Sequence, residues 1–325
     1  MRKRIQNTFA VCLCAAALVT GCGGKASSSS GNVKILFSVS QMDAFRQTLS
    51  DAAKQVAEEN GASLEVVDAE GVIETQVDQI QKAAAEGYGA VLCAPVDVDT
   101  AVELKASAGD MPIIFCNSCP KDKNLTADKY MYAGSDEKTA GEYQAEYVLQ
   151  ALSSKDEINV AIFKGEAGHS GTTGRTKGIK QAFASCGKKI NYVFDDFADW
   201  SDQKAMEQFE VFLRTGVAVD CVLCNNDTMA LGIIEACRHA GIDPGSILIL
   251  GVDATAEGCA AIQSGDMSFT VYQSATGQGR AAVEAALKLA SGASAKEVEG
   301  ISEDGKYIWV PFEKVDSSNV AQYMN

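Results

Sequence analysis

From Asn32 onward, short apolar runs alternate with stretches of helical periodicity, and that alternation leaves few folds open. Residues 33–39 read as a strand, after which Phe45, Leu49, Ala52, Ala53 and Val56 recur at helical spacing. A strand at 64–67 precedes a helix marked by Val77, Ile80 and Ala84, and strands at 90–94 and 113–116 flank a helix at about 98–108. The second half repeats the scheme with strands near 160–163, 192–194, 219–224, 247–251 and 269–272 and a long helix across 281–290. Near-continuous apolar strands separated by helices predict parallel sheets covered on both faces. There are too many βα units for one open sheet, and a turn-rich, weakly periodic stretch at 121–136 divides them. The expected fold is α/β with two doubly wound parallel-sheet lobes; a TIM barrel is the competing closure.

Apolar residues make up 46% of the 325 residues and charged residues 22%, enough to build cores and to argue against disorder. The formal net charge of −15 opposes sequence-independent binding to nucleic acid, which needs clustered Lys and Arg. It also removes an electrostatic grip on anionic lipid, and self-repulsion favours a monomer.

The amino terminus sets a cell address. Arg2, Lys3 and Arg4 precede a mainly apolar run at 9–19 that is too short to span a bilayer as a mature helix. Cys22 directly after Gly21 makes residues 1–21 similar to a bacterial lipoprotein signal, with Cys22 as the lipidated residue. Residues 22–31, rich in Gly and Ser, then form a flexible tether. The expectation is a body held by a lipid anchor outside the cytoplasm. Of the 11 cysteines, Cys12, Cys14 and Cys22 belong to this region. Cys116 and Cys119, and Cys221 and Cys224, each fit C-x-x-C, so zinc or one disulfide is an alternative. Cys221 and Cys224 sit in a strand-like run, however, where residues three apart face opposite ways. Free thiols and no metal site are expected.

Ligands of open α/β sheets meet the loops at the carboxyl ends of the strands. Those loops carry Asp43, Phe45 and Arg46 after the first strand and Asn117 after the fourth. Gly165 to Arg175, including His169, follow the strand ending at Phe163, and Trp200, Asn225-Asn226-Asp227, Asp253 and Gln273 follow the later ones. Asp43 and Asp227 also read as helix N-caps, and the Gly-rich loop lacks the Gly-Lys-Ser/Thr ending of a phosphate loop. Together, carboxylates, amides, a guanidinium, an imidazole and two aromatics make a carbohydrate-site inventory. Aromatic planes cover the C–H faces of a sugar ring, and the polar groups exchange paired hydrogen bonds with vicinal hydroxyls. An epimer that leaves one buried group unpaired loses ~1–3 kcal/mol.

These residues are recognisable. The chain resembles the type I periplasmic substrate-binding proteins of ABC sugar transporters, the galactose/glucose-binding members most closely, over essentially all of 33–320. The resemblance rests on Tyr132-Ala133-Gly134-Ser135-Asp136, Lys164-Gly165-Glu166-Ala167-Gly168-His169, Asn225 to Gly232 and Gly251-Val252-Asp253-Ala254. It implies lobes of 32–134 plus 275–309 and 135–274 plus 310–325, joined by three crossover strands and closing on a monosaccharide, with galactose or glucose foremost. It further implies ligand contacts from Asp43, Phe45, Asn117, His169, Arg175, Trp200, Asn226, Asp253 and Gln273, with Phe45 and Trp200 sandwiching the ring.

The chain departs from the galactose/glucose pattern at Gly171, where an Asp is usual, and at Gln273, which ribose-type members carry. The ribose pattern in turn wants Asp-Arg at Asn117-Ser118 and Phe at Arg46, so hexose stays ahead of pentose. The stretch at 153–159 lacks alternating oxygen ligands followed by Gly, so no structural calcium is expected. The resemblance implies an ABC permease and ATPase as partners, no catalysis and no cofactor. The alternatives are another sugar or polyol (xylose, ribose, inositol), or a sensory lipoprotein that presents its ligand to a chemoreceptor or sensor kinase. A glycosidase using Asp43 and Asp253 and a LacI-type regulator are weaker rivals.

Overall fold

The computed structural model describes residues 32–324; the expected signal at 1–21, Cys22 and the tether at 22–31 lie outside the described residues. In chain order the first elements are β1 (Lys34–Val39), α1 (Ala44–Glu59), β2 (Ser63–Asp68), α2 (Ile73–Ala85), β3 (Ala90–Cys93), α3 (Ala101–Ala108), β4 (Ile113–Cys116) and β5 (Tyr130–Gly134). Next come α4 (Glu137–Ala151), β6 (Glu157–Lys164), α5 (Ser170–Ala184), β7 (Lys189–Phe197), α6 (Asp202–Leu213), β8 (Cys221–Cys224) and α7 (Asp227–His239). The chain ends with β9 (Leu248–Leu250), α8 (Ala256–Ser264), β10 (Phe269–Tyr272), α9 (Ala275–Ala290), β11 (Tyr307–Trp309) and β12 (Glu313–Asp316). No helix among the described residues is long and apolar enough to cross a membrane.

These strands build two six-stranded sheets, ordered β11-β5-β4-β3-β1-β2 and β12-β10-β9-β8-β6-β7. Every pairing is parallel except β10 with β12. Two open sheets, each with free edges, rule out the barrel and give the expected α/β fold. The chain passes between the sheets at 135–136, 273–274 and 310–312. These are short connections rather than strands in their own right. Helix α9, which follows the second passage, packs back on α1, β3, β4 and β5 of the first sheet.

The period-2 geometry of buried strands explains the core. In β8, Val222 and Cys224 enter one apolar cluster and Cys221 and Leu223 the other, on opposite faces of the second sheet. The two cysteines of that C-x-x-C therefore point apart, and all eight cysteines of the described residues are free. Among the described residues no group of three metal-ligating side chains occurs. At 153–155 the chain supplies its own cation: the Lys188 ammonium donates to the Ser153 carbonyl at 2.8 Å and also to that of Lys155.

The structure corrects the sequence reading at three places. The stretch at 121–136, expected to be a divider without regular structure, contains β5, an internal strand with Met131, Tyr132 and Ala133 buried. Its tyrosines, flanking Lys129 and short length hide it from an apolar-run search. The short strands β11 and β12 were not expected, and β7 runs from Lys189 to Phe197 rather than 192–194 because an edge strand alternates less cleanly.

Helices α4 and α5 meet backbone to backbone. A Cβ on Gly141 would fall 1.9 Å from the Arg175 carbonyl oxygen, and one on Gly178 would fall 2.1 Å from the Lys138 carbonyl oxygen. Neither neighbour is a flexible side-chain end, so the helices would have to separate. Alanine normally stabilises a helix by ~1 kcal/mol over glycine; here overpacking reverses the sign. Gly178→Ala is expected to lower unfolding free energy by about 1–3 kcal/mol in a urea titration, and a variant as stable as the parent would refute this close approach.

Candidate ligand cleft

In parallel sheets the carboxyl ends of the strands share an edge with the amino ends of the following helices. A residue that caps a helix there also faces that edge. Asp43 Oδ1 accepts the Arg46 N–H at 2.7 Å and caps α1, and Asn226 Oδ1 accepts the Met229 N–H at 3.0 Å and caps α7. His169 caps α5 by an imidazole, its Nδ1 accepting the Gly171 N–H at 3.0 Å. Asp227 is not a cap, contrary to the sequence reading. It is the first residue of α7, buried, and accepts from Thr270 Oγ1 at 2.6 Å and the Thr255 N–H at 2.8 Å. Burial pushes its carboxyl up to about 7, against those hydrogen bonds. Its role is structural.

Backbone strain gathers at the same edge. Asn117 (φ 59°), Asp199 (51°), Trp200 (63°), Asp253 (119°) and Ala254 (52°) all have the positive φ that L-residues rarely adopt. Such residues cost about 1–3 kcal/mol each and persist only where the surroundings over-determine them.

On the first sheet, Arg46 gathers the loop ends. Its Nη1 donates to Asp43 Oδ2 at 2.6 Å and to the Gln41 carbonyl at 3.2 Å, and its Nε donates to Asn117 Oδ1 at 3.1 Å. Asn117 Oδ1 lies 3.4 Å from His169 Nε2, which joins the two sheets. Because Nδ1 accepts, Nε2 carries the proton and donates. Burial, then the nearby Arg46 and Arg175 charges, push His169 down to about 3, so the ring is neutral at physiological pH.

On the second sheet, Arg175 is buried and spends three of its five N–H donors on protein acceptors. Nε donates to Glu137 Oε2 at 2.6 Å, Nη1 to the Asn225 carbonyl at 2.6 Å, and Nη2 to Gln273 Oε1 at 2.8 Å. Asp253 Oδ1 lies 3.7 Å from Nη1. Burial opposes the Arg175 charge, but Glu137 and Asp253 more than offset it. Burial pushes both carboxyls up, with Arg175 opposing the shift in each. The Arg175 guanidinium also lies 5.9 Å from the Trp200 ring.

Trp200 lies flat on backbone: a Cβ on Gly165 would fall 2.1 Å from its six-membered ring. His169 meets it edge-on, with centroids 5.2 Å apart at 79°. Trp200 Nε1 and Gln273 Nε2 are buried and have no hydrogen-bond partner among the described residues.

One run of contacts thus joins seven of the nine expected residues: Asp43, Asn117, His169, Trp200, Arg175, Gln273 and Asp253. Asn226 is adjacent, with its acceptor committed to the cap. Phe45 is half-buried in the first turn of α1 against the first-sheet core, and the aromatic partner of Trp200 is His169. The sequence reading assigned no contact to Arg46, Glu137 or Asn225. Arg46 carried a signal, its i,i+3 spacing from Asp43; Glu137 carried none. Both carboxylates of the imagined glycosidase pair face guanidiniums, Asp43 that of Arg46 and Asp253 that of Arg175. A groove of about 680 Å³ between α6, α7 and α8, lined by Met206, Leu231 and Ile234 among others, includes none of the nine residues.

Comparison with known proteins agrees with this fold. The periplasmic binding protein domain family matches residues 33–294. A Rhizobium meliloti protein named for rhizopine binding is 30% identical over 282 residues, covering 86% of each chain. A D-galactose/methyl-galactoside binding periplasmic protein of Haemophilus influenzae is 27% identical over 296 residues, covering 87% of this chain and 88% of its own. An ABC transporter solute binding protein from Bacillus halodurans, solved with bound myo-inositol, superposes with a TM-score of 0.80. It is 30% identical and covers 92% of this chain and 99% of its own. The chain belongs to the periplasmic binding protein family, as an extracytoplasmic solute-binding protein of sugar and polyol ABC transport that binds its solute without transforming it.

Proposed function

We propose that the chain captures a polyhydroxylated six-membered ring between the two sheets, with a cyclitol such as myo-inositol ahead of galactose or glucose. The observation that carries this is the run of contacts crossing the cleft, with a guanidinium on each side: Arg46 with Asp43 and Asn117, and Arg175 with Gln273 and Asp253. Myo-inositol bears a hydroxyl on every ring carbon and has no ring oxygen, so it can use polar groups all round its rim. Guanidinium and carboxylate groups each bind vicinal hydroxyls in pairs. The likeness to the myo-inositol-bound Bacillus halodurans protein supports the same reading. The departures at Gly171 and Gln273 weaken the galactose one.

In this proposal Asp43, Phe45, Asn117, His169, Arg175, Trp200, Asn226, Asp253 and Gln273 touch the ligand. Residues 32–134 with 275–309 and residues 135–274 with 310–325 move as two lobes. Ligand favours the closed form because only that form lets both lobes contact it, and an ABC permease and its ATPase read the closed shape. The lipid anchor at Cys22 and the tether at 22–31 keep the monomeric body at the membrane.

A thermal-shift panel on the chain from Gly31 tests the ligand. Myo-inositol at 100 times its dissociation constant adds ~2.7 kcal/mol, which raises Tm by about 4 °C in a body of this size. Response to galactose or glucose alone would reject the cyclitol reading; response to D-xylose or D-ribose alone would reject the six-membered polyol.

Closure also makes binding pH-dependent. Opening separates His169 from Asn117 and Arg46 and returns its pKa towards 6.5. Closing must then expel a proton below that pH, so acid weakens binding. Asp253 and Asp227 are shifted upward and act in the opposite sense, so a ratio isolates the histidine. Between pH 6.5 and 5, the dissociation constant of the parent relative to that of His169→Gln is expected to rise by up to about tenfold per pH unit. A flat ratio by isothermal titration would exclude proton release from His169 on closure.

A further inference from the structure

Arg175 touches two of the three connections between the sheets and the first residue of the helix that follows the third. Gln273, which accepts from Arg175 Nη2 at 2.8 Å, lies in the connection at 273–274. Phe312, whose ring centroid is 6.0 Å from the Arg175 guanidinium carbon, lies in the connection at 310–312. Glu137, which takes the Arg175 Nε–H at 2.6 Å, is the first helical residue after the connection at 135–136. Ser135 in that connection accepts from the buried Gln278 Nε2 of α9 at 3.1 Å, so it is tied to the first sheet as well.

Glu137 is placed with little freedom. Its side chain is 7% exposed and that of Arg175 is 5% exposed. A Cβ on Gly174 would fall 2.5 Å from the Glu137 Cβ, and one on Gly171 would fall 3.7 Å from its carboxyl carbon. The missing side chain at Gly174 therefore makes room for the Glu137 side chain, and a Cβ at Gly171 would only touch its carboxyl. Glu137 Oε1 has no hydrogen-bond partner among the described residues. All of this carboxylate's observed hydrogen bonding is spent on one guanidinium.

We infer that Glu137 is a positioning residue for ligand binding: from the start of α4 it holds Arg175 where one guanidinium meets the connections at 273–274 and 310–312, so that engagement of Arg175 and seating of the two sheets are one event. The inference rests on the proposed contact between Arg175 and the ligand. It goes beyond that contact in assigning the coupling to a residue that need not touch ligand. Removing the carboxylate leaves the guanidinium buried with its Nε–H unpaired, and it re-seats towards whatever acceptor remains.

The test compares Glu137→Ala and the near-isosteric Glu137→Gln with Gln144→Ala. Gln144 is also buried on α4 and donates to the Cys224 and Gly251 carbonyls without touching Arg175. The variants are made in a Trp309→Phe background, where Trp200 is the remaining tryptophan. Myo-inositol and D-galactose are titrated calorimetrically, and Trp200 emission is recorded without ligand. Glu137→Ala is expected to raise the dissociation constant at least about tenfold more than Gln144→Ala, as loss of a charge-assisted hydrogen bond predicts. Glu137→Gln, which keeps an acceptor but not the charge, should fall between parent and Glu137→Ala. Trp200 emission should shift in both Glu137 variants and not in Gln144→Ala. Should Glu137→Ala fail to fold, the glutamine variant decides on the same two readouts. Glu137 variants that match Gln144→Ala in both affinity and emission would overturn the assignment. A parent that binds neither ligand would reject the ligand reading while leaving Trp200 emission to decide the role of Glu137.

Discussion

Taking a guanidinium out of water costs several kcal/mol, and the interior must return that in hydrogen bonds and opposite charge of good geometry. Arg175 meets the requirement with partners from distant parts of the chain: Glu137 at the start of α4, the Asn225 carbonyl beyond β8, Gln273 beyond β10, and Asp253 beyond β9. Each must be in place for the charge to be tolerated, so the buried ion fixes the relative position of four strand ends and helix starts. The glycine contacts of α4 with α5 are the steric half of the same constraint. With a side chain at Gly141 or Gly178, the helices could not bring Glu137 to Arg175.

The strained backbone at Asn117, Asp199, Trp200 and Asp253 follows from the same geometry. A strand that must release its chain into a helix on either face turns sharply at its carboxyl end. A residue whose side chain must also point along that edge leaves the β region to do so. Asparagine and aspartate tolerate this better than most residues, which is why they recur at these turns. Trp200 is the expensive case, and it is held by contact with the Gly165 backbone and the edge of His169.

How much of this was legible in the sequence follows from where the information lies. The buried strands β1, β3, β4 and β8 are apolar on both faces, and a run of such residues announces itself. β5 is equally internal but is written as Tyr-Met-Tyr-Ala-Gly, and its tyrosines face a side where aromatic neighbours (Tyr307 and Trp309) come from more than 150 residues away. No local pattern encodes that. The polar residues after strand ends could be found because the fold class says where to look. Glu137 could not, since it occupies an ordinary acidic position in the first turn of a helix. Its significance arises only when α4 and α5 touch.

The two arginines of the cleft are paired on unequal terms, and the inequality bears on how a ligand is selected. In the Asp43–Arg46 pair the guanidinium side chain is buried, at 10% exposure, but the carboxylate is 48% exposed, whereas both partners of Glu137–Arg175 are below a tenth exposed. Because its carboxylate is open to water, Asp43 can trade Arg46 for ligand hydroxyls at smaller cost than Glu137 could trade Arg175. Breaking a buried pair leaves an uncompensated charge, at a cost of about 3–5 kcal/mol. The second-sheet side therefore presents a fixed template, and the first-sheet side an adaptable one. A ring that fits the fixed side can be accommodated by the other, but a ring that fits only the adaptable side gains nothing from Arg175. In the proposed site, discrimination among epimers should therefore lie with Arg175, Gln273 and Asp253, and tolerance with Asp43.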